Sequence, residues 1–365
     1  MGPLVDPVPE FEEVSPAVDV APVRHRRHRP HPIAAIRHMG GGIAAVSVKE
    51  LRGRMRGRRA FVVLTVHLLL IAGFAWMIES IAERAYSSGF GGSMSASADI
   101  GRQMFTALLM LLTLIVLVLA PASTSGAISL EREKQTLDLL TTTPISSLAI
   151  VLGKLLSALS WVFLLLLASI PVTALVFTFG GVSPDDMVKG YVVLVGTAIF
   201  YGALGLFVSA LVKRTQAATV INLVAAIALT AGTTFLFVFW FAMSGSFGGN
   251  PDQGNANVGP LESLTRRPPE ALMWFNPFVA QLDVICGTET GFGGTCSIIS
   301  GVTSQGVVGD QQFGVPRDSY WPRSLAAMGA VSVLLIVLSV QLVSPTRRWR
   351  FHLPRPRRRA AGSDA

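Results

Sequence analysis

The chain has 365 residues, of which 51% are hydrophobic and only 14% are charged, and its formal net charge is +8. Soluble globular proteins carry about 25% charged residues, so this composition argues against an ordinary soluble enzyme. Two cysteines are too few for a disulfide-rich scaffold or for a module built on several metal-binding cysteines. The composition therefore favours a polytopic membrane protein.

Six charge-free apolar segments are long enough to cross a membrane, because a helix needs about 20 residues to span a hydrocarbon core of about 30 Å. They predict an all-α integral membrane protein with six transmembrane helices. The small residues Gly196, Ala203 and Gly205 in the fourth span favour close contacts with neighbouring helices. The predicted spans cover residues 60–81, 104–130, 155–179, 190–212, 217–243 and 324–345.

The positions of the basic residues predict the orientation. With six spans, the segments on the side of the two termini hold 23 of the 30 Lys and Arg residues. By the positive-inside rule, we expect both termini to lie in the cytoplasm. We expect the membrane to be the plasma membrane. The same distribution accounts for the basic net charge without nucleic acid, because the clusters flank spans and carry no interleaved aromatic residues.

Three regions follow from these patterns. Residues 1–42 are rich in proline and predict a disordered cytoplasmic tail, residues 43–346 form the membrane domain, and residues 347–365 form a basic cytoplasmic tail. Just before the first span, one helical face of residues 43–59 is apolar and the rest is basic. This pattern predicts an amphipathic helix in the membrane interface, and the alternative is a basic linker. The apolar face consists of Ala44, Val48, Leu51 and Met55.

The segment between the fifth and sixth spans contains an apolar stretch at residues 271–285 that is too short and too polar to span. It predicts a re-entrant or interfacial helix on the extracytoplasmic side. Cys286 and Cys296 follow it, and they form either a disulfide bond or a pair of free thiols.

The cytoplasmic connection between the second and third spans begins with four alternating charges at residues 131–134. Leu130, Leu137 and Leu140 then recur at helical spacing, and Pro144 should stop the helix because the residue before a proline avoids the α region. The pattern predicts a short amphipathic helix that can transmit force from a soluble partner to the spans. The alternative is a solvated loop.

This connection resembles the signature of ABC transporter permeases of the ABC-2 type, in which a similar run precedes a Gly-Lys pair at the start of the next span. Here that pair is Gly153-Lys154. Gln135 stands where the family often has glycine, and Asp138 replaces the usual glutamate. Two weaker similarities are Val48–Arg52, which resembles the family's N-terminal elbow helix, and Asn276-Pro277-Phe278, which resembles a motif before its last span.

The resemblance implies that the connection is a coupling helix, which touches a separate ABC ATPase subunit. The charged residues at 131–134 would make polar contacts with that ATPase. ATP and Mg²⁺ would be bound by the ATPase, no cofactor by this chain, and a second permease would complete an exporter embedded in membrane lipids. The coupling residues implied in this way are Glu131, Arg132, Glu133, Lys134, Gln135, Thr136, Leu137, Asp138, Leu140, Thr143 and Pro144.

Two absences in the sequence fit the resemblance, which implies that the energy comes from a separate ATPase subunit. No Gly-x-x-x-x-Gly-Lys-Ser/Thr phosphate loop is present, and the cores of the predicted spans hold no Asp, Glu, Lys or Arg that could couple an ion gradient. His67 in the first span and Asn222 in the fifth are the notable intramembrane polar residues. The two alternative functions are a membrane scaffold that recruits a cytoplasmic partner, and a secondary carrier that uses His67.

Enzymatic functions are disfavoured on the same grounds. The sequence contains neither a His-Glu-x-x-His nor a Gly-x-Ser-x-Gly motif, so it predicts no catalytic, cofactor or metal site.

Overall fold

A computed structural model describes residues 58–85, 96–135, 147–243, 270–286 and 319–343, and within these ranges the chain forms helices and no strand. The tails at 1–42 and 347–365 lie outside the described residues, as does the predicted elbow helix up to residue 57. The α-helices are α1 (Arg58–Ala85), α2 (Ala96–Thr124), α3 (Ser129–Glu133), α4 (Ser147–Ala174), α5 (Pro184–Leu211), α6 (Thr215–Met243), α7 (Pro277–Cys286) and α8 (Trp321–Val343). Two 3₁₀ segments, Leu175–Thr178 and Glu270–Met273, follow α4 and precede α7.

Six of these helical segments are long and apolar enough to cross a membrane: α1, α2 together with α3, α4, α5, α6 and α8. This confirms the prediction of an all-α integral membrane protein with six spans. Several helices begin further out than the charge-free runs; α4 begins at residue 147 rather than 155, and α5 at 184 rather than 190. The difference arises because helical hydrogen bonding continues past charged residues, whose long side chains can reach the interface.

α5 is the central helix of the bundle. Over an apolar stretch of 18 residues in α5, 67% of the residues are buried inside the protein, whereas over the corresponding stretch of α1 only 17% are buried. It packs against α2, α4, α6, α7 and α8. Small residues allow this crowding, because a Cβ atom at Gly196 would overlap Leu325 of α8 and one at Gly205 would overlap side chains of α2 and α6. The predicted close contacts at Gly196 and Gly205 are thus confirmed within the chain.

α1 and α6 lie at the periphery and expose large apolar side chains. In water such a surface would favour aggregation, but in a bilayer it faces lipid tails of the same polarity. Examples are Phe61, Leu69 and Trp76 on α1, and Val220, Val224 and Phe235 on α6.

The bundle has two ends that differ in character. One end carries residues 129–135 and 213–214, and we call it the coupling end. The opposite end carries the turn at 179–183 and α7. At the opposite end Arg102 donates from Nε to the carbonyl oxygen of Gly181 at 3.0 Å, which joins the start of α2 to that turn.

α7 is the short helix that the sequence predicts before the last span, and it packs among α2, α5 and α8. Its polar side chains point into the protein. Gln281 is fully buried and donates from Nε2 to the carbonyl oxygen of Gly190 on α5 at 3.0 Å. Just before α7, Asn276 donates from Nδ2 to Thr234 Oγ1 on α6 at 2.7 Å. Interhelical hydrogen bonds therefore hold α7 at the opposite end of the bundle.

Asp283 links α7 to the last span. Its side chain is 2% exposed, and Oδ2 accepts hydrogen bonds from the backbone N–H groups of Tyr320 and Trp321, each at 2.9 Å. These donors lie at the start of α8, where the first turn of a helix leaves N–H groups without intrahelical partners. Asp283 thus caps a helix more than thirty residues away in sequence.

We expect Asp283→Ala to lower the free energy of unfolding by about 1–3 kcal/mol, because it leaves buried N–H groups at the start of α8 without this acceptor. Asp283→Asn, which retains one oxygen, should cost less. Thermal unfolding of the detergent-purified protein measures the effect. Asp99→Ala is the matched control, since the Asp99 side chain is 38% exposed and pairs with the nearby Arg102 three residues along the same helix. Equal losses at the two positions would contradict the capping role.

The structure also describes one of the two cysteines. Cys286, at the end of α7, is disulfide-bonded. Cys296 lies outside the described residues, so the pairing of these two cysteines stays a prediction.

Candidate functional site

The predicted coupling residues fall into two groups. Residues 131–135 lie at the coupling end, in or directly after α3. We call residues 129–135 the coupling segment. The other predicted coupling residues lie outside the described part of the chain; they are Thr136, Leu137, Asp138, Leu140, Thr143 and Pro144.

A turn at residues 125–128 separates α2 from the coupling segment. Pro121 lacks the N–H of a regular helical bond, and the Thr124 hydroxyl donates back to the carbonyl oxygen of Ala120 at 3.0 Å. Both features bend helices or end them. The α-helix of the second span therefore ends at Thr124, six residues before the predicted end of that span, and the chain becomes helical again in α3.

The start of the coupling segment is held by the central helix. Ile128, at the N-cap of α3, makes no side-chain capping bond of its own. Instead, Oγ of Ser209 on α5 accepts hydrogen bonds from the N–H groups of Ile128 and Ser129, each at 3.0 Å. Because Ser209 is fully buried, α5 supplies the cap from inside the bundle.

α6 contributes two further hydrogen bonds beside the turn. Asn222, which is fully buried, donates from Nδ2 to the carbonyl oxygen of Pro121 at 2.9 Å. The hydroxyl groups of Thr219 and Ser125 lie 2.9 Å apart. Inside an apolar bundle such bonds cannot readily be exchanged for bonds to water. The structure thus places Asn222, which the sequence singles out, at a junction between α2 and α6.

An ion pair connects the coupling segment to α4. Lys154 Nζ lies 2.6 Å from Glu131 Oε1, and the two side chains are 5% and 25% exposed. Sequence analysis places the start of the third span at residue 155 and so leaves Lys154 outside it, but α4 includes Lys154 and buries it. A buried ammonium group needs a partner of opposite charge, and Glu131 supplies it.

Glu133 connects the coupling segment to α6. Its Oε1 accepts from the N–H of Thr215 at 2.8 Å, and its Oε2 accepts from Thr215 Oγ1 at 2.5 Å. Thr215 is the first residue of α6, so the carboxylate lies at a helix N-terminus, where exposed N–H groups and the helix dipole favour negative charge.

These contacts add to the expectation from the sequence. Of the four charged residues at 131–134 that the resemblance assigns to contacts with a partner, Glu131 and Glu133 are also bonded to helices of the same chain. The contact of residues 131–134 with a partner stays a prediction. Arg132 is half-buried and Lys134 is exposed, so these two basic residues are at the surface of the coupling end.

Gln135, two residues after the end of α3, has a left-handed conformation, with φ of 56°. A residue with positive φ cannot continue a right-handed helix, so the predicted single helix over 131–143 is interrupted at this position. The left-handed region favours glycine, because a side chain there is crowded by the backbone. The glycine that the resemblance described above places at this position would adopt the same conformation without this crowding.

We expect Gln135→Gly to raise the free energy of unfolding by up to about 1 kcal/mol and Gln135→Val to lower it, because a β-branched residue tolerates positive φ least. Thermal unfolding in detergent compares the variants. Gln103→Gly, at an exposed helical position in α2, is the control and should be destabilising by about 0.5–1 kcal/mol. Equal losses from both glycine substitutions would show that φ at Gln135 does not matter.

His67 lies apart from this cluster, on α1. It is 7% exposed, and its Nε2 is 3.3 Å from the carbonyl oxygen of Leu165 on α4. With the proton on Nε2, this contact is a hydrogen bond between the two helices. In the described part of the chain no three His, Cys, Asp or Glu residues are grouped so that they could hold a metal ion.

The contacts that hold the coupling segment to α4, α5 and α6 form what we call the junction. Sequence reasoning missed three of its residues, which are Lys154, Ser209 and Thr215. Lys154 carries a signal, because it belongs to the Gly-Lys pair of the resemblance. Ser209 and Thr215 carry none, since serine and threonine are common in membrane helices and only tertiary contact distinguishes these two.

The junction as a whole ties the connection after the second span to three other spans, α4, α5 and α6. A model of the family described as ABC-2 family transporter protein matches residues 44–284, which is well over half of the chain and includes the whole junction. A comparison with curated proteins finds no match. The chain therefore belongs to the ABC-2 family of transporter proteins, and is a membrane-spanning permease of an ABC transporter.

Proposed function

We propose that this permease works as the transmembrane subunit of an exporter, and that a separate ABC ATPase subunit drives it by pushing on the coupling segment. The observation that carries the proposal is that this segment of seven residues is bonded to three spans at once. Glu131 binds Lys154 on α4, Ser209 on α5 caps its start, and Glu133 binds the start of α6.

The bonds favour transmission of force over local yielding. A solvated loop would absorb a displacement by changing its own backbone angles. The coupling segment is instead held by an ion pair, by a buried hydroxyl group and by a carboxylate at a helix N-terminus. A displacement of α3 therefore moves the ends of α4, α5 and α6 together, with the turn at 125–128 as the hinge to α2. In a pair of permeases, such a movement would alternate inward-facing and outward-facing states.

The energy source in this proposal is ATP bound by the partner. The sequence has no phosphate loop, so ATP and Mg²⁺ would be held by the ATPase subunit. The distribution of Lys and Arg supports an arrangement with the coupling end in the cytoplasm, both termini on that side, and the chain in the plasma membrane. A second permease, identical or related, would complete the pathway, and the direction of export rests on the family alone.

Co-purification tests the partner. The tagged chain would be isolated in mild detergent from its native host, and associated proteins would be identified by mass spectrometry. We expect a protein with a phosphate loop that hydrolyses ATP in the purified complex. Absence of any such ATPase would contradict the proposal and would favour a scaffold or a secondary carrier.

A distance measurement tests whether the partner drives movement. Spin labels at two exposed positions near the opposite end, Ile81 on α1 and Phe239 on α6, would be compared with and without ATP and vanadate in lipid nanodiscs. We expect the distance distribution to change in the wild-type complex. An ATPase that binds without any nucleotide-dependent change at the opposite end would favour the scaffold.

His67 separates the permease from the secondary carrier. We expect His67→Ala to weaken the packing of α1 on α4 but to preserve the nucleotide-driven distance change, because the ring contacts the Leu165 carbonyl rather than an ionisable group. A carrier that used His67 as its proton site would instead lose its response to a proton gradient in this variant. The matched control is Thr113→Ala, another buried polar position in a span.

A further inference from the structure

An apolar groove lies between α4 and the first half of α5, on the outside of the bundle. Its volume is about 670 Å³, which is within the range of about 300–1,000 Å³ that is typical of ligand sites. The described side chains that line it are aliphatic or aromatic, and Tyr191 is the one among them that carries a hydroxyl group. That hydroxyl group lies 2.9 Å from Ser169 Oγ and 3.0 Å from Thr173 Oγ1, which belong to buried residues of α4. The groove therefore presents carbon rather than hydrogen-bonding groups to its occupant.

The groove occupies one leaflet of the membrane. α5 is an unbroken α-helix, and the two lysines that flank its charge-free part, Lys189 and Lys213, are centred on residue 201. At this level α4 and α5 touch, because a Cβ atom at Gly202 would lie 2.8 Å from Leu159 Cδ2. The α5 residues that line the groove all precede this contact, and the α4 residues that line it all follow Leu159. The groove thus begins near the bilayer centre and runs toward the opposite end of the bundle.

This shape favours a lipid chain over a helix from a second copy of the protein. A transmembrane helix crosses both leaflets and would need a complementary surface along its whole length. An acyl chain of a phospholipid instead reaches from its head group to the bilayer centre, through half of the hydrocarbon core, and it is as apolar as the groove. An unfilled groove would forfeit van der Waals contacts along its walls, and an acyl chain supplies them.

Two charged residues lie beside the outer end of the groove. Lys189 is 12 residues before residue 201, which at 1.5 Å per residue is about 18 Å from the bilayer centre. This level is between the edge of the hydrocarbon, at about 15 Å, and the outer limit of the head groups, at about 20–22 Å. Asp185 lies one turn further out and pairs with Lys189, and the two side chains are 69% and 36% exposed. An ammonium group at the level of lipid phosphates and a carboxylate just outside it complement a head group whose phosphate lies inside its own ammonium group.

The sign of the local charge narrows the head group further. Asp186 adds a second carboxylate to the first turn of α5, where it is 6% exposed and accepts from the N–H and hydroxyl groups of Ser183. Residues 184–189 therefore carry a net charge of −1. A head group that brings an ammonium group of its own suits this site, whereas a purely anionic head group is repelled.

We propose that the groove holds one acyl chain of a phospholipid with an ethanolamine head group, taken from the leaflet at the opposite end. Lys189 contacts its phosphate and Asp185 contacts its ammonium group. This inference goes beyond the proposed function, because it concerns α4 and α5 alone and holds whether or not an ATPase drives the permease.

Native mass spectrometry tests the site. The full chain would be reconstituted in bilayers of equal parts phosphatidylethanolamine and phosphatidylglycerol and extracted in mild detergent, and the lipids retained on each chain would be counted. We expect one retained phospholipid, with the ethanolamine head group favoured about two- to fivefold, as for one exposed charge pair. Asp185→Lys changes the local charge from −1 to +1 and should reverse this preference toward phosphatidylglycerol without abolishing retention.

A tryptophan in the groove tests where the chain lies. Val192 lines the middle of the groove, so we expect Val192→Trp to fill it and to abolish retention of the lipid. Val188→Trp, at a second lining position that is 61% exposed, should do the same. Val333→Trp is the matched control, because it makes the same substitution at an exposed position on α8, outside the groove, and should retain the lipid. Thermal unfolding checks that all three variants are folded.

Three outcomes would overturn the inference. Equal lipid retention in the groove variants and in Val333→Trp would show that the groove does not hold the chain. An unchanged head-group preference in Asp185→Lys would show that the charged pair does not select the lipid. If the groove variants instead split a dimer while they retain the lipid, a second copy of the protein covers the groove. Each of these results leaves the proposed coupling to an ATPase untouched, since that proposal is tested at the coupling end.

Discussion

Lys154→Met is expected to lower the free energy of unfolding by about 2–4 kcal/mol, because it leaves the Glu131 carboxylate without the ammonium group 2.6 Å away. The loss should be smaller than for a fully buried pair, since the Glu131 side chain is 25% exposed. The double variant Glu131→Leu, Lys154→Met should recover most of the stability, because apolar residues of similar size can replace an ion pair at little cost. Thermal unfolding in detergent checks all three proteins.

The same variants separate folding from transmission. If the pair carries force from the coupling segment to α4, the double variant should be stable and bind the ATPase, yet show a reduced nucleotide-driven distance change at the opposite end. The exchanged pair Glu131→Lys, Lys154→Glu restores opposite charges and should recover part of the movement. A double variant that moves like the wild type would show that the ion pair serves folding alone.

Gly205→Ala is expected to lower the free energy of unfolding by about 2–3 kcal/mol, as overpacking of a tight interior does. A Cβ atom at this position would overlap Thr124 Oγ1 on α2 and Asn222 Nδ2 on α6, and would lie 3.2 Å from the carbonyl oxygen of Pro121. The neighbours have little room to move, because Asn222 already donates to that same carbonyl oxygen.

Gly232→Ala is the matched control for this substitution. Gly232 lies within α6, and a Cβ atom there would meet no atom within 4 Å. Alanine should therefore be neutral or stabilising by up to about 1 kcal/mol, because glycine is the weaker helix former. Equal unfolding temperatures for the two alanine variants would contradict the close approach of α2, α5 and α6 at Gly205.

Hydropathy along the sequence is enough to predict the six spans. A segment in a bilayer must satisfy its own backbone hydrogen bonds, so a long apolar run has only the helix available to it. The same reasoning recognises the stretch at 271–285 as too short to span, and α7 overlaps its second half and extends one residue beyond it. The positions of Gly196 and Gly205 also carry information, since small residues in a span indicate close packing whatever the neighbour is.

Hydropathy along the sequence could not predict where the helices end or which contacts the coupling residues make. Whether Glu131 faces a partner or the protein depends on where Lys154 lies, and the two are 23 residues apart in sequence. Glu133 and Thr215 are 82 residues apart, and Ile128 and Ser209 are 81 apart. A local sequence pattern reflects only the intrinsic conformational and burial preferences of neighbouring residues, and it does not indicate which distant residue each side chain contacts. The sequence by itself determined the membrane helices and the family signature, whereas the tertiary structure decided which charges are bonded within the chain and which remain at the surface, because those contacts form only when α2, α4, α5 and α6 have packed.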